Sequence, residues 1–231
     1  MVIIPHSEQL VILNQLYSTQ ATIYRGIQRG TAASRWNTTM KLLHLDSSAL
    51  GTGSVTRELT AAIVARWQDQ LPQLQVEYRD LDANPLPHLT GQSLAQSDPL
   101  EAADAARTMD QFLAADVLVI GAPMYNFSIP STLKAWIDRV AVAGKTFRYT
   151  ENGPQGLAGG KKVIIASGRG GIHTNSPTDF QEAYLRQVFA FLGVTDVEFV
   201  RAEGVAYSPQ HRSDAIAGAL ASIPEPVRLA A

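Results

Sequence analysis

Two uninterrupted apolar runs, Val117-Leu118-Val119-Ile120 and Val163-Ile164-Ile165, set the tightest limit on how this chain folds. Short, uniformly apolar runs suit strands covered on both faces. Around them the chain alternates strand and helix. Leu42–Leu45 is apolar up to Asp46, and Val55, Leu59, Ala62 and Ile63 then recur at helical spacing. Gln75–Leu81 alternates like a strand at or near an edge, and Asp82–Ser97, with Pro85 and Pro87, reads as a loop. Further helices are predicted over Pro99–Ala114, from Pro130 to about Val142, from a cap at Thr178 to near Gly193, and over Ser213–Ser222. Lys162–Ala166 and Val197–Val200 complete the strands. This alternation predicts an α/β fold, a parallel sheet with helices on both faces.

Each apolar run leads into an unusual loop. Pro123-Met124-Tyr125-Asn126-Phe127 follows one, and Ser167-Gly168-Arg169-Gly170-Gly171 follows the other. Ligands of open α/β sheets bind outside the carboxyl ends of the strands. The first loop offers an aromatic and an amide, the second a glycine-rich backbone that a flat ring can approach closely. A planar cofactor held between them accounts for both. The loop after the first strand, Ser47 to Thr56, carries five hydroxyls and two glycines just before a helix. Amides and dipole at a helix start bind phosphate without a lysine, although Ser54 also reads simply as a helix cap. This loop offers one phosphate cradle, with nothing evident for a pyrophosphate and adenosine. Gly-x-x-x-x-Gly-Lys and Gly-x-Gly-x-x-Gly are both missing from this loop, which disfavours nucleoside triphosphate hydrolysis and a dinucleotide fold.

Composition narrows the chemistry. The 231 residues suit one domain, and a net charge of −2 gives no reason to expect nucleic acid or an anionic membrane surface as partner. With no cysteine in the chain, thiolate catalysis, disulfides and thiolate-bound metals are excluded. No stretch approaches the ~18 apolar residues of a membrane span, and a cytoplasmic protein is expected. Residues 1–39 differ from the rest, with Glu8 the one acidic residue against Arg25, Arg29 and Arg35. Their apolar core, Leu10–Leu13, is too short and polar for a secretory signal. They read as a loosely ordered extension or as sequence upstream of a start at Met40, the domain being residues 40–231.

The segments Ala122-Pro-Met-Tyr-Asn-Phe-Ser-Ile-Pro, Thr146-Phe-Arg-Tyr-Thr-Glu-Asn-Gly-Pro, Arg169-Gly-Gly-Ile-His and Pro177-Thr-Asp resemble, in order and spacing, those of FMN-dependent NADH-azoreductases. These belong to the flavodoxin-like NAD(P)H:quinone oxidoreductases. The resemblance covers about Met40 to Tyr207. It implies a five-stranded sheet in the order 2-1-3-4-5 and a homodimer with one non-covalent FMN per subunit at the interface. It also implies ping-pong, two-electron reduction of quinones and azo compounds by NADH or NADPH. The hydride is then carried at flavin N5, so no catalytic side chain and no metal is assigned.

Position by position, the resemblance puts phosphate contacts on Ser48, Ser54, Val55 and Thr56 and ring contacts on Met124, Tyr125, Asn126 and Phe127. Further contacts fall on Gly168, Arg169, Gly170 and Gly171. The family often has serine where this chain has Gly168; the lost hydroxyl could be replaced by that of Ser167. His173 reads either as a donor to the N1–O2 edge of the ring or as a loop residue capping a turn. Arg169 reads either as solvated or as part of the chemistry. Tyr149 and Phe191 match aromatic walls for the substrate, supplied by the partner subunit, while Phe191 also fits an ordinary helix core. Tyr78, Trp67 and Trp136 read as packing, and Asp46 is expected to face away from the phosphate. Two other functions compete: a flavodoxin-type electron carrier without turnover of its own, and a phosphodiesterase or other hydrolase. The weak net charge argues against a carrier, as does the long Gly144–Gly160 loop, which reads better as an active-site wall or dimer element. No metal-ligand spacing and no Gly-x-Ser-x-Gly elbow supports a hydrolase.

Overall fold

The computed structural model describes residues 39–226, so that all but the last residue of the expected extension lies outside the described residues. Strands numbered in chain order are β1 (Lys41–Asp46), β2 (Gln75–Asp80), β3 (Val117–Gly121), β4 (Phe147–Thr150), β5 (Gly153–Gly156), β6 (Lys162–Gly168) and β7 (Asp196–Ala202). Five of them form one parallel sheet in the order β2-β1-β3-β6-β7. The helices are α1 (Val55–Gln70), α2 (Gly91–Leu94), α3 (Pro99–Ala114), α4 (Ser131–Val140), α5 (Phe180–Phe191) and α6 (Pro209–Ala221). Among the described residues no helix is long and apolar enough to cross a membrane.

The apolar runs are uniform because the sheet is covered on both sides. Leu42, Val117, Val119 and Ile164 face one layer, in which Leu59, Ile63 and Trp67 of α1 pack with Ala219 of α6. Leu43, Leu45, Leu118, Ile120, Val163 and Ile165 face the other, against Phe112 of α3, Trp136 of α4 and Leu185 and Phe189 of α5. Burying each such side chain contributes about 1.5–3 kcal/mol, which is why strand interiors admit no polar alternation here. Trp67 and Trp136 are fully buried, and Trp136 meets Phe112 edge-on at 5.8 Å.

Four local features differ from the sequence reading. The Gly144–Gly160 segment folds as an antiparallel hairpin, β4–β5, outside the main sheet. It rests on the end of α5, where a Cβ on Gly156 would lie 2.1 Å from the Gly193 amide nitrogen. Only glycine permits that approach. A capping box from Thr90 and Ser93 winds α2 within the Asp82–Ser97 segment. The cap of α5 is Asp179, whose carboxylate accepts from the Glu182 amide, and not Thr178. Finally, α6 starts at Pro209 under a Ser208 cap, ahead of Ser213, because proline at a first helical turn loses no hydrogen bond.

Candidate functional site

The carboxyl ends of β1, β3 and β6 open onto one edge of the sheet. At the first, Ser54 caps α1 by accepting the Arg57 amide at 3.3 Å, and its Oγ lies 3.1 Å from Thr56 Oγ1. Cap and anion site are therefore compatible. The amides of Val55 and Thr56 make no hydrogen bond among the described residues, so they remain available at the positive end of the helix. Ser48 is fully buried, and Tyr125 Oη lies 3.2 Å from its Oγ and 3.3 Å from the Ala49 amide. That contact ties the phosphate-type loop to the aromatic one. Arg57 braces the loop from behind. Its Nη2 donates to Ser48 O at 2.8 Å while the guanidinium pairs with Asp80 at 2.6 and 2.9 Å. The Arg57 hydrogen bond holds the Asp80 carboxyl down to about 2. Asp46 is turned toward Thr60 Oγ1, at 2.8 Å, and Tyr78 Oη, at 3.1 Å. Tyr78 is not a packed core residue. Its ring is half exposed, and burial of the hydroxyl, with the charge and hydrogen bond of Asp46, pushes it up to about 12.

After β3, Tyr125 and Ser128 exchange backbone hydrogen bonds of 2.9 and 3.0 Å. The two residues between them, Asn126 and Phe127, take φ of 49° and 66°. A left-handed conformation costs about 1–2 kcal/mol for a residue such as phenylalanine, and such strain collects where a site needs it. Its effect is to present Phe127, half exposed, opposite the second loop. The Met124 amide donates to Gly168 O at 2.9 Å, and the Phe127 ring meets His173 edge-on at 5.8 Å. The structure thus brings together Met124, Phe127, Gly168 and His173.

The glycine loop is backed by the segment that follows β7. The carbonyls of Arg169, Gly170 and Gly171 accept from the amides of Val205, Ala206 and Gly204 at 3.1, 3.2 and 3.0 Å. With the carbonyls engaged, the amides of Gly170 and Gly171 keep no partner among the described residues and remain free to donate. His173 Nδ1 lies 3.1 Å from Thr178 Oγ1, so the residue closes a turn, while Nε2 makes no hydrogen bond among the described residues.

Two expectations are corrected here. Arg169 is not solvated. It is fully buried, with Asp179 and Glu182 at 2.8 Å and Glu203 at 3.2 Å, so its guanidinium belongs to the scaffold. Nor can Ser167 replace the hydroxyl missing at Gly168. It is buried, donating to Gln181 Oε1 at 2.7 Å and accepting from Arg169 Nε at 2.9 Å. A Cβ at Gly168 would stand 3.1 Å from Thr56 Cγ2, so the glycine lets β6 close on the start of α1. Gln181, Glu203 and Arg57 escaped the sequence reading, since each is an ordinary polar residue whose role depends on partners distant in the chain; Asp179 lay in the Pro177-Thr-Asp segment without an assigned role. Burial works against ionised Glu203, but hydrogen bonds from Thr174 and the amides of His173 and Thr174, with the charge of Arg169, hold its carboxyl below the usual range.

Tyr149 and Phe191 do not join this site within one chain. Because β6 and β7 are parallel, α5 must run back from the carboxyl to the amino end of the sheet. Phe191, at its far end, packs on Phe147 at 4.4 Å and partly covers the core, and Tyr149 lies edge-on to Phe147 at 5.7 Å with its ring largely exposed.

The donor set fits a phosphate attached to a planar ring system. Comparison with known proteins agrees. A family described by its flavodoxin-like fold matches residues 40–225. An FMN-dependent NADH:quinone oxidoreductase of Stenotrophomonas maltophilia (strain K279a) is 73% identical over 185 residues, 80% of this chain and 95% of that protein. The crystal structure of an azoreductase from Bacillus anthracis str. Sterne superposes with a TM-score of 0.72 at 30% identity, covering 80% of this chain and 96% of the other. An FMN-dependent NADH-azoreductase from Bacillus anthracis str. Ames Ancestor, in complex with FMN, does so with a TM-score of 0.72 at 26% identity, over 80% and 95% of the two chains.

Proposed function

The chain belongs to the family with the flavodoxin-like fold, and from that premise we propose that it is an FMN-dependent NADH:quinone oxidoreductase that also cleaves aromatic azo compounds reductively. One observation carries the reading. An open, unpaired helix start with buried hydroxyls stands beside two loops locked together by the bond from the Met124 amide to Gly168 O. FMN held there would supply two-electron transfer from NADH to a quinone or to an azo compound.

The side chains hold and orient. Ser48, Ser54 and Thr56 offer hydroxyls to the phosphate, and Val55 and Thr56 offer amides. Met124, Tyr125, Asn126 and Phe127 would hold one border of the ring and the backbone of Gly168 to Gly171 the other, with free amides at Gly170 and Gly171. Arg169 contributes its backbone only. His173 Nε2 would share a proton with the N1–O2 edge, where negative charge collects on reduction. The exposed face of Phe127 excludes water from the border of the slot.

The working unit is a homodimer. The twelve residues of α5 span ~18 Å, which separates Phe191 and the hairpin from the ring loops of their own subunit. Tyr149 and Phe191 can wall a substrate slot only in the site of a second copy, and a two-fold arrangement then gives two identical composite sites. Residues 40–231 form the reductase domain, residues 1–39 an extension, and the protein is cytoplasmic.

The decisive experiment uses colour. The purified protein should be yellow, its heat-released flavin should chromatograph as FMN, and NADH alone should bleach it before a quinone restores the colour. A stoichiometric yield of FAD, or bleaching that needs a partner enzyme as an electron carrier would, overturns the reading. Light scattering should give about twice the 25.0 kDa chain mass. A chain starting at Met40 should keep its flavin and turnover.

A further inference from the structure

We propose that Gln181 is a positioning residue that sets how the two ring loops face each other, by bonding both from beneath; this rests on the FMN reading of the site. Gln181 is fully buried near the start of α5. Its Nε2 donates to Ala122 O and to Pro123 O, each at 3.1 Å. Its Oε1 accepts from Ser167 Oγ at 2.7 Å and lies 3.5 Å from Arg169 Nη2. Pro123 immediately precedes the ring contact Met124, and Ser167 immediately precedes Gly168. One carboxamide therefore grips the last residue before each border of the slot.

The chemistry demands this side chain. A primary amide carries two donors and an acceptor in one plane, which matches two carbonyl oxygens on one side and a hydroxyl on the other. A carboxylate would set oxygen against oxygen at Ala122 and Pro123. An aliphatic chain would leave both buried carbonyls without the partner they have now, and unpaired buried polar groups are costly. The sheet already fixes strand register through the Ala122 amide on Ala166 O at 2.9 Å. β6 stays in the ladder as far as Gly168, and past the end of β3 the Met124 amide donates to Gly168 O; Gln181 adds three side-chain bonds to these backbone ties. Because it touches none of the residues' cofactor-facing atoms, it acts on the flavin through loop geometry. Oxidised and reduced flavin differ in shape and charge, so a change in that geometry shifts their relative binding and with it the midpoint potential.

The test compares Gln181→Leu, Gln181→Glu and Ser167→Ala with the wild-type protein. Apoprotein is titrated with FMN by fluorescence, the midpoint potential of the bound flavin is measured, and the apoprotein is melted. Gln181→Leu should weaken FMN binding about tenfold and shift the potential, and Ser167→Ala should do the same to a smaller extent. Gln181→Glu should lower the potential at neutral pH and recover toward wild type as acid protonates the introduced carboxyl and restores a donor. Unchanged affinity and potential in Ser167→Ala and in either Gln181 variant, whatever the melting temperatures, would overturn the proposal. A wild-type protein that binds no FMN would instead overturn the reading of the site on which it rests.

Discussion

The two halves of the site are built in opposite ways. The phosphate side is local. Residues 48–57 supply hydroxyls, free amides and their own cap in one continuous stretch, braced from outside by Asp80 on Arg57, by Arg212 on Gly53 O and by the Tyr125 hydroxyl on Ser48. The ring side is assembled from the ends of β3, β6 and β7 and the start of α5. Its support is a buried cluster in which Arg169 meets Asp179, Glu182 and Glu203 while Arg201 donates to Glu182 at 2.7 Å. A local loop can be held by backbone and a helix dipole. Loops from separate strands need shared partners: buried Arg169 ties the loop after β6 to α5 and to the segment after β7, and Gln181 reaches the loop after β3.

If that difference is real, the two sides should fail differently, and Arg169→Leu is the harshest way to break it. Removing one member of a buried ion network leaves the others uncompensated and costs about 3–5 kcal/mol. Three carboxylates lose their shared cation here. Differential scanning calorimetry should show a melting temperature lower by roughly 10 °C, with flavin lost as well. Retained stability would show the cluster to be incidental.

A substitution at the loop surface should separate binding from folding. Gly170→Asp places a negative charge and added bulk beside an electron-rich ring, so flavin occupancy should fall by about tenfold or more in equilibrium dialysis. Only Ala206 Cβ, at 3.5 Å, borders a Cβ built at Gly170, so melting of the apoprotein should barely change. Full occupancy would remove this loop from the site.

The phosphate side should give smaller, mixed effects. Ser54→Ala removes the α1 cap, which costs ~1 kcal/mol, so the apoprotein should melt a few degrees lower while FMN binding weakens too. The two losses should appear together, because one hydroxyl serves both purposes. Separate loss of binding with unchanged melting would show that Ser54 is not the cap in solution.

The smallest effect concerns pH. Asp80 sits at about 2 in the fold, below the ~3.9 of an unfolded chain. A depressed carboxyl adds stability that is fully present above the unfolded value and disappears as pH falls through the folded one. Asp80→Asn should therefore melt slightly below wild type at pH 7, and the gap should close between about pH 4 and pH 2. A constant gap down to pH 2 would assign the brace to something other than the Arg57 charge pair.

How much of this was legible in the sequence follows the same division. The loop proposed for the phosphate was visible because a helix start with hydroxyls and glycines is a contiguous signal, and it lies after β1. The ring loops were visible as motifs after apolar strands. Their mutual contact, through Met124, Gly168, Phe127 and His173, needed the sheet to set β3 beside β6. Arg169 was misread because nothing in Gly168-Arg169-Gly170 shows that carboxylates from residues 179, 182 and 203 converge on it. The Gly144–Gly160 segment was misread as a loop because β4 and β5 are too short to stand out and pair only with each other.

The sequence by itself determined the layers of this protein, the five strands of the main sheet, and the chemical character of the loops that follow them. These depend on local periodicity, composition and the conformational limits of single residues. Tertiary structure alone decided which polar side chains are buried together, that Gln181 reaches two loops, and that Gly156 and Gly193 touch. The physical reason is range. Hydrophobic pattern and helix capping act within a few residues of the chain, whereas hydrogen bonds and ion pairs pay no regard to sequence distance and form only once the packed sheet has brought their partners within about 3 Å.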